Sequence, residues 1–119
     1  MIPDRAIFIN DLPVAERLIA TLIKMNKKEL SADLSPREFV ETILSIVARD
    51  CGPFGICLLN HYKIYGPGDI GEATFGLIEK GFVSKEEHET IIDFYDIDID
   101  FDKYFLPDKF ELVNADIRL

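Results

Sequence analysis

Cys57 and His61 stand four residues apart. On a helix that spacing puts a thiol and an imidazole on one face, where the ring can lower the thiol pKa or share a metal ion. The preferred reading is packing, because cysteine is among the most buried residue types: Cys57 fills the core and His61 satisfies a backbone hydrogen bond. Tyr62, next in the chain, would add to a small polar rim where two helices meet. Glu72 lies among Ile70, Ala73 and Phe75 near an expected helix start, where a carboxylate gains from the helix dipole. A proton-transfer role for Glu72 would need a partner group in a cleft. A small enzyme using His61 with Glu72 or Cys57 is therefore the alternative reading of function.

The other candidate is acidic. Asp96, Asp98 and Asp100 alternate as the odd positions of a calcium loop do. Counted from Asp96, however, the turn glycine falls on Phe101 and the bidentate glutamate on Pro107, so calcium binding is not expected. Between Glu86 and Asp102 there are eight acids and no Lys or Arg, so the segment reads as a solvated acidic face or a docking surface. A partner for such a surface carries Lys or Arg, and its binding weakens with salt. His88, between Glu87 and Glu89, is expected in solvent. Cys51 and Cys57 are the two cysteines, and their five-residue gap matches no familiar zinc spacing; neither metal nor cofactor is expected.

Charge narrows the classes further. The 119 residues carry a net charge of −9, which opposes a phosphate-binding footprint. Short helices followed by an extended segment could form a degenerate winged-helix nucleic-acid binder. Its recognition helix, Asp69 to Lys80, would present Asp69, Glu72 and Glu79 to the groove against a single lysine, the wrong electrostatics. The apolar stretches at Leu18–Ile23 and Ile43–Ala48 are shorter than the ~20 residues of a membrane span. The N-terminus lacks the basic start and long apolar core of a secretory signal. A cytoplasmic protein of one domain over 1–119 is expected, with its oligomeric state left open.

Helices must position these groups. Val14, Leu18, Leu22 and Met25 predict a helix over roughly 12–28, with Pro13 in its first turn and Lys24, Lys27 and Lys28 suiting the negative end of the dipole. Ser35-Pro36-Arg37-Glu38 is the clearest start, a capping box followed by Phe39, Val40, Ile43, Ile46 and Val47 on one face. Gly52-Pro53 ends that helix and opens a short one that stops near Tyr62 or Lys63. Asp69 is expected to cap a fourth helix, and Gly81 to end it. Gly71 and Gly76 each cost up to ~1 kcal/mol inside that helix, which suggests a closely approaching neighbouring backbone. Tyr95, Ile97, Ile99 and Phe101 alternate with the aspartates and would anchor a strand or an extended loop.

Gly52-Pro53, Leu59-Asn60-His61-Tyr62, Asp69-x-Gly71-Glu72, Leu77-Ile78-Glu79-x-Gly81 and Ser84-Lys85, in that order, resemble a family of small uncharacterised bacterial proteins described chiefly from planctomycetes and verrucomicrobia. The likeness runs from about 34 to 105. Tyr62 stands where the family often has Trp, and Ile70 where it has Phe, replacements that keep bulk. What the resemblance implies is a shared helical fold; it carries no activity and no catalytic residue.

The expectation is thus a mainly helical domain of about four helices, to which the acidic segment and the tail could add a short β pair or wing. Phe39, Ile43, Ile46, Leu58, Phe75 and Leu77 should form its core. Its expected role is a non-enzymatic interaction or regulatory module that offers an acidic face, Asp96, Asp98 and Asp100 with His61, Tyr62 and Glu72 as candidate contacts, to a basic protein.

Overall fold

The computed structural model describes residues 9–30, 34–83 and 91–106. Helix α1 spans Val14–Met25, with Pro13 just outside it as N-cap, one position earlier than the sequence pattern suggests. Helix α2, Pro36–Cys51, begins as its sequence dictates: the Ser35 hydroxyl accepts from the Glu38 amide and the Glu38 carboxylate accepts from the Ser35 amide. Gly52, at φ 59°, turns the chain through a short 3-10 segment, Gly52–Phe54, into α3, Gly55–His61. Two further helices pack on each other, α4 at Pro67–Glu79 and the short α5 at Ile91–Tyr95; α6, Phe101–Tyr104, closes the described chain.

Two of these ends share one device. After α3, the Lys63 amide donates to the Asn60 carbonyl and the Ile64 amide to Leu59; after α4, Gly81 donates to Ile78 and Phe82 to Leu77. Both are Schellman turns, which need a left-handed residue just past the cap. Gly81 takes φ 82° without steric cost, whereas Lys63 takes φ 63° with a Cβ in place. The fully buried pair Leu59 and Ile64 supplies the apolar contact that accompanies the first turn.

Asp69 does not cap α4. The helix starts two residues earlier, after Gly66, because Pro67 is pre-organised for the first helical position; Asp69 instead accepts a 2.8 Å hydrogen bond from the Tyr65 amide. Inside α4 the buried Thr74 hydroxyl donates to the Ile70 carbonyl at 2.7 Å and so leaves no unpaired polar atom there.

Helix α4 packs chiefly against α1 and α5, while α2 touches α4 and α5 and leads through the 3-10 segment into α3. The fully buried side chains are Ile19, Val40, Ile43, Leu44, Ile46, Val47, Leu59, Ile64, Ile70 and Leu77. Of the six expected core residues, Ile43, Ile46 and Leu77 are among these, and Phe39, Leu58 and Phe75 pack against them half-buried. The described residues contain no strand, so the segment from Ile97 to Asp100 is an extended loop; residues 107–119, where a pairing strand was expected, lie outside the described residues. So does His88.

By length and composition the helical run Pro36–His61 is long and apolar enough to cross a membrane, contrary to the expectation from its separate apolar stretches. The core helix of a globular protein has the same composition. Here Ile43, Leu44, Ile46, Val47 and Leu59 from this run are buried in the core, 33% of its apolar window is buried in all, and Arg49 and Asp50 interrupt it at the surface.

Candidate functional site

The acidic segment is held to the helices by aromatic rings, and glycines make room for them. A side chain at Gly71 would overlap the Phe94 side chain, one at Gly68 the Tyr95 ring, and one at Gly55 the Phe105 ring together with Val47. Three glycines on α3 and α4 therefore seat three aromatic residues from one stretch of chain. Phe94 is the deepest of them, 2% exposed, with the rings of Phe39 and Phe75 set edge-on at 6.4 and 6.0 Å. Edge-to-face pairs at such distances contribute beyond simple area burial. The close neighbour that explains Gly71 is thus a side chain, not the backbone expected from sequence. At Gly76 it is the Glu16 carboxylate, which pairs with Lys80 at 2.8 Å and ties α1 to the end of α4.

Along this segment the aspartates lie at the surface. Asp93, Asp96, Asp98, Asp100 and Asp102 are all exposed, and Ile97 and Ile99 between them are half-buried, so the alternation read from sequence is present in an extended loop. Tyr95 departs from that pattern. It ends α5, is 54% exposed, and rests its ring on Gly68. Among the described residues no Lys or Arg comes within ion-pair distance of Asp96, Asp98 or Asp100. Asp100 has a local task, accepting from the amides of Asp102 at 3.0 Å and Lys103 at 3.4 Å as N-cap of α6. That use turns its side chain to the backbone and away from a shared metal position.

The negative field extends past this segment. Burial raises the Tyr104 phenol above its ordinary pKa of 10.0, and the charge of Glu41 on α2 adds to the rise. Exposed apolar groups stand in the same stretch: Ile92, Tyr95 and Leu106 are 63%, 54% and 48% exposed. A period of two in the sequence does not reveal the exposure of Ile92 and Tyr95, because α5 is a short piece of helix that sends Phe94 inward and its neighbours outward.

The remaining candidates do not converge on a cleft. Cys57 is exposed, contrary to its expected place in the core: α3 is a short surface helix whose Gly55 and Leu59 face inward. His61, the last residue of α3, is exposed and sets its ring edge-on to half-buried Tyr62 at 5.2 Å. His61 and Tyr62 thus stand side by side at the end of α3. Glu72 is exposed on α4. Among the described residues a concavity of about 450 Å³ is bordered by Glu29, Glu41, Thr42 and Ser45, and another lies between α1 and the turn after α4; neither of these includes Cys57, His61 or Glu72. Among the described residues no three His, Cys, Asp or Glu side chains are grouped to hold a metal ion.

No family model, curated protein or solved structure matches this chain, so the family resemblance gains no support there and the site is read from its geometry.

Proposed function

We propose that the protein is a small interaction module that docks a basic protein through the segment 91–106. The observation that carries this reading is the combination of the exposed carboxylates of Asp96, Asp98 and Asp102 with three aromatic anchors in one stretch of chain. Like charges in a row repel, and a segment with no partner to meet gains nothing from holding them together. Anchoring the segment before binding lowers the ordering cost of association. Ile92, Tyr95 and Leu106 give a partner apolar surface beside the charge, and an exposed tyrosine face suits an arginine or lysine. The segment works where a basic partner is met; a cytoplasmic setting belongs to the same reading, with no nucleic acid, membrane or cofactor involved.

The test is comparative capture from the native cell at low salt, with wild type and the Asp96→Asn/Asp98→Asn/Asp100→Asn variant as baits. A partner rich in Lys or Arg should be enriched on the wild type and lost from the variant. Equal recovery on both baits would defeat the reading.

A further inference from the structure

A second surface has the opposite charge. Beside α1 lies a groove of about 570 Å³, within the ~300–1,000 Å³ of ordinary small-molecule sites. Ile9, Ile23, Phe82 and Val83 wall it, and Ala20 stands in its lining, nearly buried; a small side chain there leaves the groove its depth. Lys24, near the end of α1, and Lys27, in the turn that follows, stand at the same groove. Their position at the end of α1 would by itself assign them to solvent. Among the described residues neither has a carboxylate within ion-pair distance, although the chain carries 22 acids to 13 basic residues. In so acidic a protein, two cations beside an apolar slot with no acidic partner among the described residues are a placed feature.

We propose that this groove binds a medium-chain carboxylate, with the alkyl chain along Ala20, Ile23, Phe82 and Val83 and the carboxylate at Lys24 and Lys27. Charge complementarity selects the anionic head, and the apolar walls favour an alkyl tail that removes their surface from water. This site is independent of the acidic segment: its residues come from α1, the turns before and after it, and the turn after α4.

The probes are sodium decanoate and uncharged 1-decanol, titrated into the full chain at low ionic strength and followed by backbone amide NMR. Decanoate should bind saturably at one site and shift the amides of Ala20, Ile23, Phe82 and Val83. Lys24→Gln/Lys27→Gln changes two exposed side chains and should fold normally; it should weaken decanoate about five- to tenfold, as two exposed charge contacts imply, and leave decanol unchanged. Ala20→Leu should fill the groove and abolish binding of both. Absence of saturable decanoate binding, shifts mapping elsewhere, or equal affinity in the double-lysine variant would overturn the proposal. Concentration-dependent self-association that shields these amides would assign the groove to a second copy, and decanoate binding that appears only after residues 1–7 are deleted would assign it to the chain's own start; either result also overturns it.

Discussion

Replacing Gly71 with alanine separates two opposing effects in α4. In a helix interior the change is favourable by ~0.8–1.0 kcal/mol from propensity alone. At this position the new Cβ would lie 2.5 Å from Phe94 Cγ and 2.9 Å from Cδ1, closer than packed carbons come. Phe94 cannot rotate its first carbons away without moving α5, and its ring is enclosed by Phe39 and Phe75. Overpacking of this kind costs ~1–3 kcal/mol, and partial loss of the Phe94 burial adds to it, so we expect a net loss of ~1–2 kcal/mol. Gly76→Ala is the internal control. It has the same helical gain, but its Cβ meets the far end of the flexible Glu16 side chain, which can swing aside at the expense of its pair with Lys80. That pair is partly exposed and contributes at most ~1 kcal/mol, so Gly76→Ala should fall within ~0.5 kcal/mol of wild type. Urea unfolding reads the difference as a midpoint shift at constant slope. A cycle with Phe94→Leu sharpens it: Gly71→Ala should cost less when Phe94 is already replaced. If Gly71→Ala instead matched Gly76→Ala, Phe94 would not be seated on Gly71 and the anchoring of the acidic segment would be wrong.

The same contacts have other consequences. Ile43→Ala removes a fully buried side chain and should cost ~2–5 kcal/mol in urea unfolding. Lys63→Gly relieves a left-handed lysine in the Schellman turn after α3 and should stabilise by ~0.5–1 kcal/mol, read from the same midpoint; a loss would mean the turn is held by the lysine side chain. Because burial and Glu41 raise the Tyr104 pKa, the folded state keeps that proton where the unfolded state has lost it. The contribution is whole below pH ~10 and is lost as pH rises from there through the folded pKa, so in alkaline titration wild type should lose stability relative to Tyr104→Phe across that window and no further beyond it. Cys57 should react with a maleimide in the native state faster than half-buried Cys51, as mass spectrometry of partially labelled protein can show.

Local rules carried most of the fold. Ser35, Pro36 and Glu38 specify the start of α2 by their own hydrogen-bonding chemistry, and Gly81 specifies the end of α4, so these boundaries were legible without tertiary information. The misplacements arose where neighbours decide. Cys57 was read by residue type, but α3 presents only one narrow face to the body, and Gly55 and Leu59 occupy it. Asp69 has a capping side chain, yet the proline two positions earlier fixes the backbone first. The cost of Gly71 and Gly76 in a helix announced close contacts, but no sequence rule names Phe94 or Glu16 as the neighbours, 23 and 60 residues away. The acids at 96, 98 and 100 were legible as an exposed row. Their anchoring was only half legible, because the short helix α5 breaks the period of two and hides Phe94.

Docking through the acidic segment is measured most directly by the association rate of the captured basic partner with wild type and with the Asp96→Asn/Asp98→Asn/Asp100→Asn variant. Stopped flow gives that rate at low salt and at 0.5 M, roughly where the Debye length falls to a few ångströms. Asparagine keeps the size of each side chain and can still cap α6 at position 100, so the variant should fold with unchanged or slightly greater stability. Association should be at least about tenfold slower for the variant at low salt, and the difference should nearly vanish at high salt. Equal rates at low salt, with both proteins folded, would contradict docking and leave the segment a solvated face.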